Sequence, residues 1–538
     1  MAKYIIVAGG VISGTGKGVS AASIGLLMKL RGHSVQIIKF DPYLNINAGI
    51  LAPSQHGECF LCDDGTETDL DLGHYERIAG TTVSAKNICT SGILMKELMK
   101  EQERGDYLGQ TVQIIPHVTN KIQKRLLELG KDSDVVIAEI GGTVGDIESA
   151  SFFEAIRQFK HKHGDDVLLM MVAPILWVPT IKEFKTKPLQ NSVKELQRHG
   201  LQPEVLICRV DRELPPGMLE KVSDLTNVNR ECVFDAPDVE SIYQVPIEFY
   251  NRHVDDLCVD LLRLKRSSCR IHKHKELISK HPTERVSIGV VGKYGNADEA
   301  YMSIKEALHH SGLANNYGID IEWIGAEDLE KMSGENICQL LSSKDGLIVP
   351  GGFDGRGVQG KIESIRCARE NKIPFLGICL GLQCAVIEFA RNRCGIENAN
   401  SQEFSKDCSP VVHYLKGQET AAKSGTMRLG AYDCELKKGT LAFELYNKKM
   451  ISERHRHRLE VNPAYLEQYA KEGFVVSGIN PETNLVEIME LDRQQHPFFI
   501  GTQAHPEFKS KLADVAPLFK GLVAAAIERR KSRLETHT

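Results

Sequence analysis

Residues 4–18 read YIIVAGGVISGTGKG, an unbroken apolar run followed by five glycines set around one lysine. A short apolar run without polar alternation reads as a strand buried on both faces, and glycines directly after it permit a tight turn into a helix. Strand, glycine loop and helix in that order open a parallel α/β sheet with helices on both faces. The alternation continues with strands at Val35–Phe40, Val135–Glu139, Leu168–Val172 and Val205–Arg209. Helices are expected over 19–30, 148–160 and 188–199.

A chain of 538 residues is too long for one core. The stretch from Leu264 to Arg285 is rich in Lys, Arg and His and poor in apolar residues, so it reads as a linker. Strands then resume at Val286–Val291, Ile319–Ile324, Gly346–Val349 and Phe375–Ile378. Unlike loops end these strands, so the second unit is a different α/β domain and not a repeat of the first. The boundaries drawn are 1–265, a linker over 266–284, and 285–538. The polar end, 528–538, is expected to fray.

Charged residues make up 25% of the chain and the net charge is −5, which gives no basis for nucleic-acid binding. The longest apolar run, Val167–Val178, is broken by Pro174 and is shorter than the roughly 20 residues of a membrane span. It reads as a buried strand and its exit. The cysteines are scattered and no secretory leader pattern opens the chain, so free thiols in a reducing cytoplasm are expected. Cys59 and Cys62 form a lone CxxC; without a second pair they read as structural residues and not as a zinc site.

The glycine loop exposes backbone N–H groups to a polyphosphate, with Lys17 reaching the outer phosphates. Its glycine spacing is one off the usual phosphate loop, and Gly18 stands where a metal-binding Ser or Thr is normal. The metal must be held elsewhere. Asp71 in DLDLGHYER and Glu139 at the end of its strand are the candidates, because magnesium takes one or two carboxylates beside phosphate oxygens. Either acid alone could equally be a capping or solvated group.

Cys379 follows a strand and sits between Gly377 and Gly381 in GICLGLQ, the cysteine form of a nucleophile elbow. The following helix favours a thiolate. Pro350-Gly351-Gly352-Phe353 and the Leu380 N–H can supply oxyanion donors. His505 and Glu507 lie two apart in QAHPEF, which on an extended segment places both on one side for triad chemistry. The run ERHRHR (453–458) ordinarily makes a solvated face, though a carboxylate-bearing substrate can use one of its bases. A phosphate cradle and a cysteine nucleophile in one chain point to ATP-driven chemistry fed by ammonia from glutamine.

At these residues the sequence resembles the CTP synthase family over nearly its whole length. The most specific segments are KFDPYLNINAG, DLDLGHYER, EIGGTVGDIES and KTKPLQNSVKEL; the GICLGLQ and HPEF segments alone resemble any class I glutamine amidotransferase. The resemblance implies phosphorylation of UTP at its 4-oxygen by ATP, then displacement of phosphate by ammonia to give CTP. It implies ATP at Ser13, Gly14, Thr15, Gly16, Lys17 and Gly18, with Lys39 near the transferred phosphate. Asp71 and Glu139 take Mg2+, and Arg209, Asp238 and Val239 meet the adenine side. UTP phosphates fall to Lys185, Lys187, Gln190 and Lys221, with Ser13 also at the UTP/CTP site. Asp146, Ile147 and Glu148 lie near the pyrimidine of the feedback inhibitor CTP. Glutamine falls to Gly352, Leu380, Gln383, Glu403 and Arg458. GTP as activator and a homotetramer are implied too.

The chain departs from the family pattern at several points. Leu382 replaces Met, Gln359 replaces Glu, and Ala504 replaces an aromatic, which opens space beside His505 and loosens its packing. Trp177–Phe184 lacks the usual small, glycine-containing pattern, so inhibition by CTP is expected to differ. Two rivals remain. A cobyrinate-type amidotransferase leaves DLDLGHYER unexplained. An inactive filament-forming homologue predicts loss of Lys17, Cys379, His505 or Glu507, and all four are present.

Overall fold

The N-terminal apolar run is strand β1 (Lys3–Gly9), and Ile5, Ile6 and Val7 on it are fully buried. Each such side chain contributes about 1.5–3 kcal/mol of transfer free energy. The structure is a computed structural model that describes residues 2–52, 56–280, 282–293, 298–352, 355–415 and 427–535. The strands that follow are β2 (Val35–Asp41), β3 (Ile88–Thr90), β4 (Val135–Ile140), β5 (Val167–Pro174), β6 (Val205–Val210) and β7 (Val233–Pro237). They form one sheet in the order β7-β6-β5-β1-β4-β2-β3, and the paired strands run parallel. The carboxyl ends of β1, β2 and β4 therefore lie side by side, with Val7 opposite Glu139 and Glu139 opposite Lys39.

The second sheet is mixed. Its strands are β8 (Arg285–Gly292), β9 (Gly318–Gly325), β10 (Gly346–Val349), β11 (Phe375–Ile378), β12 (Arg428–Leu436), β13 (Met450–His457), β14 (Phe474–Ile479), β15 (Val486–Leu491) and β16 (Phe499–Thr502). Their order is β9-β8-β10-β11-β16-β15-β14-β12-β13. The first five pair in parallel and the rest antiparallel. The expected α/β class with two sheets is the class observed.

The described residues divide into two units, Met1–Ile50 with Thr68–Ser279, and Leu51–Glu67 with Lys280–Thr538. The excursion of 51–67 into the second unit was not anticipated. The stretch expected as a linker is partly ordered: His272–Ile278 is a helix, and within the first unit His274 bonds the Tyr243 carbonyl at 2.9 Å. Fraying expected over 528–538 is corrected for 528–535, which continue the helix Pro517–Glu535 and are tied back by Arg529 and Arg533, while 536–538 lie outside the described residues. The expectation of free thiols throughout fails at one pair. Cys338 and Cys367 form a disulfide between the helices Gly334–Ser342 and Val358–Glu370, with Cα atoms 5.3 Å apart. Among the described residues no helix is long and apolar enough to cross a membrane.

The 51–67 segment is held by charge. Arg454 Nε donates to Asp63 at 2.6 Å and Arg456 Nε to Glu67 at 2.7 Å. Glu58 caps the helix Met302–Asn315, whose own N-cap Tyr301 makes no side-chain cap hydrogen bond. Its carboxylate accepts the Ser303 N–H at 3.0 and 3.1 Å, and the Ser303 hydroxyl donates to it as well. A carboxylate there also meets the positive end of the helix. Glu58→Ala is expected to destabilise the second unit by roughly 1–3 kcal/mol, read as a lower thermal midpoint. Glu58→Gln, which keeps an acceptor, should lose less. Equal midpoints for all three proteins would remove this cap from the account.

Candidate active sites

The first site is built where β1 runs into the helix Lys17–Leu30. Gly14 and Gly16 take φ of 71° and 82°, left-handed values that glycine adopts without a Cβ penalty. Lys17 is the first residue of the helix and is buried, with Nζ donating to the Gly142 carbonyl at 2.9 Å. Burial lowers its pKa, and the nearby Glu139 works against that shift. Ser192 Oγ accepts the Val11 N–H at 3.0 Å, which ties the loop to the helix Lys187–Arg198.

Beside the loop, Lys39 Nζ bonds Asp71, and it bonds Glu139 Oε1 at 2.9 Å; Asp41 is 3.8 Å away. Tyr75 donates to the other Glu139 oxygen. Asp69 caps the helix Leu70–Ala79 that carries Asp71. Two buried carboxylates, Asp41 and Glu139, and two half-buried ones, Asp69 and Asp71, thus cluster around Lys17 and Lys39. Burial, with mutual repulsion, raises Asp41 to about 7 and Asp69 to about 6. Such a surplus of oxygen ligands suits a hard divalent cation. Asp71 and Glu139 both lie close to Gly18, at the first turn of the phosphate-loop helix. No group of three or more His, Cys, Asp or Glu among the described residues is arranged to hold a metal alone. Two carboxylates completed by phosphate oxygens remain a fit for magnesium.

The remaining candidates of this unit occupy the loops after the parallel strands. Arg209 Nη1 donates to the Ala236 and Pro237 carbonyls at 2.8 and 3.1 Å, and its Nη2 pairs with Asp238, next to Val239. Arg209 Nε lies 3.9 Å from where a Cβ on Gly16 would stand, so this cluster adjoins the loop that also carries Ser13 and Thr15. Asp146 accepts the Thr143 N–H at 2.6 Å, and Ile147 and Glu148 follow in a 3-10 turn. Lys185 pairs with Glu183 at 2.6 Å, and Lys221 is near enough to act on the same carboxylate. Lys187 opens its helix, and Gln190 donates to Thr186 Oγ1 at 2.9 Å. Trp177–Phe184 folds as a hairpin. Trp177 packs edge-on against Phe184 and under the Arg212 guanidinium, and Lys182 takes a φ of 51° that glycine would adopt more easily.

The second site stands where β11 runs into the helix Leu380–Asn392. Cys379 is the turn, with φ 52° and ψ −103°, and its N–H donates to the Thr502 carbonyl at 2.7 Å. Only glycine fits at Gly381, where a Cβ would strike the Val349 carbonyl, and at Gly377, where it would lie 2.8 Å from the Gly381 backbone. The Cys379 sulfur is 3.7 Å from the Arg456 carbonyl. His505 Nδ1 is 2.7 Å from Glu507 Oε1, and its Nε2 is buried without a hydrogen-bond partner among the described residues. A Cβ on Gly351 would touch both the His505 ring and Cys379 Cβ, so the two side chains flank that glycine. Burial disfavours the imidazolium, yet the Glu507 carboxylate and the Cys379 sulfur outweigh it and raise the His505 pKa to about 10.

Two expectations change here. Glu507 reaches His505 through a 3-10 turn, Pro506–Lys509, and not through an extended segment, because Pro506 starts the turn directly after His505. Ala504 does not loosen the histidine: it is itself buried, and the imidazole stacks on Phe508 at 5.3 Å. Leu382 is buried in the main core, and Gln359 donates its N–H to Glu330 at 3.1 Å. Phe353 of the oxyanion candidates lies outside the described residues. Leu380 remains the first residue of the helix after the cysteine.

A pocket next to Cys379 is lined by Gly352, Gln383, Glu403, Tyr414, His457, Arg458 and Leu459. Tyr414, His457 and Leu459 were missed. Alternation along ERHRHR could have flagged His457, but the solvated-face reading of that run is overturned. Glu453–His457 lie on β13, with Glu453, Arg454, His455 and His457 buried. Arg428 bridges Glu460 at 3.1 Å and Glu487 at 2.7 Å behind the pocket, and His455 Nδ1 meets His457 Nε2 at 2.9 Å. Burial raises Glu460 to about 8 despite Arg428.

Removing the Glu507 charge should lower the His505 pKa and so deprotonate the imidazolium at lower pH. Glu507→Gln is expected to cut glutamine hydrolysis by about 100-fold and to move the alkaline limb of its pH profile downward. An unchanged rate and profile would show that Glu507 does not orient His505.

Residues 3–264 match the family model described as CTP synthase N-terminus, and residues 297–525 the model for class I glutamine amidotransferase. A CTP synthase of Microcystis aeruginosa is 48% identical over 99% of this chain and 98% of its own length. One from Caldanaerobacter subterraneus is 46% identical over 99% of this chain and 100% of its own. A solved Trypanosoma brucei CTPS glutaminase domain with bound acivicin is 38% identical, covering 45% of this chain and 94% of that one, with a TM-score of 0.43.

Proposed function

Because the chain belongs to the CTP synthase family, and so makes CTP from UTP with ATP and glutamine nitrogen, we propose a division of labour between its two sites. The reading rests on one observation: a phosphate loop beside paired buried carboxylates and a strained, His-backed cysteine coexist in one chain. A carboxylate-directed amidotransferase is not favoured, since the relatives matched over nearly full length are CTP synthases.

In the second unit the Cys379 sulfur attacks the carboxamide carbon of glutamine. The Leu380 N–H and the Gly351–Gly352 backbone take the oxyanion, and His505 protonates the departing ammonia. Water then cleaves the thioester to glutamate, with His505 taking its proton. Gly352, Gln383, Glu403 and Arg458 hold the substrate. In the first unit Ser13–Gly18 cradle ATP, with Arg209, Asp238 and Val239 on the adenine side. Lys17 and Lys39 neutralise the phosphoryl group as it passes to the uracil 4-oxygen. A carbonyl oxygen is a poor leaving group and its phosphate ester a good one, so ammonia then attacks C4 and phosphate departs. Magnesium held by Asp71 and Glu139 would offset charge on the phosphates.

The same reading assigns Lys185, Lys187, Gln190 and Lys221 to the UTP phosphates, and Asp146, Ile147 and Glu148 to bound CTP acting as inhibitor. GTP is the activator. A homotetramer is supported within the first unit by the exposed Leu108, Ile114, Ile115 and Ile147, apolar side chains that a partner would cover. The enzyme works in the cytoplasm. The Trp177–Phe184 hairpin is where CTP inhibition should depart from that of relatives with the glycine-containing loop.

UTP conversion followed by absorbance with glutamine plus GTP, and separately with ammonium, tests the division. Cys379→Ala should lose glutamine-driven synthesis and keep the ammonium rate within about twofold; loss of both would refute separate sites. Lys17→Ala should lose at least about 100-fold with either nitrogen source. Ammonium-driven turnover surviving in that variant would rule out its phosphate role.

A further inference from the structure

The second unit contains a cavity that the amination reaction does not use. It measures about 740 Å³, within the roughly 300–1,000 Å³ typical of small-molecule sites. Its floor is apolar and is formed by Leu441, Leu445, Phe498, Pro374, Gly521 and Ala525. Pro374 and Phe498 directly precede β11 and β16. Cys379 and His505 follow the opposite ends of those strands, so the cavity and the glutamine pocket lie at opposite strand ends of the sheet.

The cavity is lined by four cations, Lys372, Arg493, Arg529 and Arg533, against one carboxylate, Glu528. Three of these charges are already paired: Arg493 with Glu444 at 2.6 Å, Arg533 with Asp345 at 3.1 Å and Glu528 with Lys531 at 3.0 Å. Arg529 is different. Its Nε and Nη1 donate only to main-chain carbonyls, of Lys344 at 3.3 Å, Asn371 at 3.1 Å and Lys372 at 3.3 Å. Its Nη2 and the Lys372 ammonium make no hydrogen bond or ion pair among the described residues. Burial and the neighbouring Arg533 disfavour the Arg529 charge, Asp345 offsets them only in part, and an added anion would relieve the rest.

We propose that this cavity binds a small amphipathic anion, its apolar body on the Leu441–Phe498 floor and its acidic head against Arg529 and Lys372. Three carbonyls fix the Arg529 guanidinium in advance, so little side-chain entropy is lost when the head group arrives. An apolar molecule without charge would fill the floor and leave both cations uncompensated.

The test uses 8-anilinonaphthalene-1-sulfonate as probe and N-phenyl-1-naphthylamine, the same rings without the sulfonate, as neutral control. Both are titrated by fluorescence into the full chain with ATP and UTP saturating, so that nucleotide sites are filled. Ala524→Phe places a ring in the cavity from an exposed position on the helix Pro517–Glu535. Lys372→Glu reverses a cation without a partner. CTP formation from glutamine, retained in both variants, reports that the second unit is folded. Ala524→Phe should weaken both dyes at least about tenfold, equal to 1.4 kcal/mol. Lys372→Glu should weaken only the sulfonate, by a similar factor. Sulfonate affinity unchanged by Ala524→Phe would overturn the site. Equal effects of Lys372→Glu on both dyes would overturn the requirement for an anion, and that arm decides even if Ala524→Phe does not fold.

Discussion

A parallel strand that runs straight into a helix leaves unpaired backbone N–H groups converging at one point, and both reactive centres of this chain are built on that constraint. At β1 the solution is glycine: Gly14 and Gly16 supply the left-handed turns, and the open loop is left for phosphate oxygens. At β11 the turn residue is Cys379, which carries a side chain into a conformation that costs about 1–3 kcal/mol. The surroundings hold it there. The Cys379 N–H is bonded to Thr502, and Gly377 and Gly381 clear the space on either side. One geometry thus serves two chemistries, because in the first the turn must be empty and in the second it must present a nucleophile.

Within the second unit a single residue serves both the nucleophile and the 51–67 segment. The main-chain carbonyl of Arg456 lies against the Cys379 sulfur, and the guanidinium of the same residue binds Glu67. Glu67 is four residues before Asp71, one of the paired acids beside the phosphate loop. The 51–67 segment is pinned to the second unit by three carboxylates, Glu58, Asp63 and Glu67, each meeting a helix end or an arginine. These contacts are partly or wholly buried, so they are stronger than exposed ion pairs of the same length. Arg456 therefore touches the nucleophile through its carbonyl and the 51–67 segment through its guanidinium.

What could be read from the sequence follows from which residues act locally. The phosphate loop and the cysteine elbow were legible because glycine spacing and strand–helix order are properties of neighbouring residues. Asp71 and Glu139 were reachable as motif and strand-end acids and Lys39 through the family resemblance, and the structure brings the three into one cluster. The buried state of ERHRHR was not legible, since a run of bases looks solvated until Asp63 and Glu67 arrive from a distant segment. The Cys338–Cys367 pair likewise depends on two helices packing side by side. Composition at 51–67 gives no hint that the segment leaves its own unit, because its anchors are single acids. The terminal helix was misjudged for a related reason: its polar end is charged, but its first half packs into the second core.

The two centres settle buried charge in opposite ways, and that difference fits their tasks. Around Lys39 the carboxylates outnumber the lysines, and Asp41 and Asp69 are pushed upward by burial first and by the neighbouring acids second. A site left short of positive charge is one that a divalent cation completes. Behind the glutamine pocket, Arg428 lies between Glu460 and Glu487, and burial holds Glu460 near its neutral form. Burial together with neighbouring positive charge pushes His455 and His457 far down, so both imidazoles stay uncharged. Among the histidines near Cys379, His505 is the one whose charge is preserved, by Glu507 and the sulfur. A proton near the sulfur then has one well-defined donor, which is what breaking a carboxamide and releasing uncharged ammonia requires.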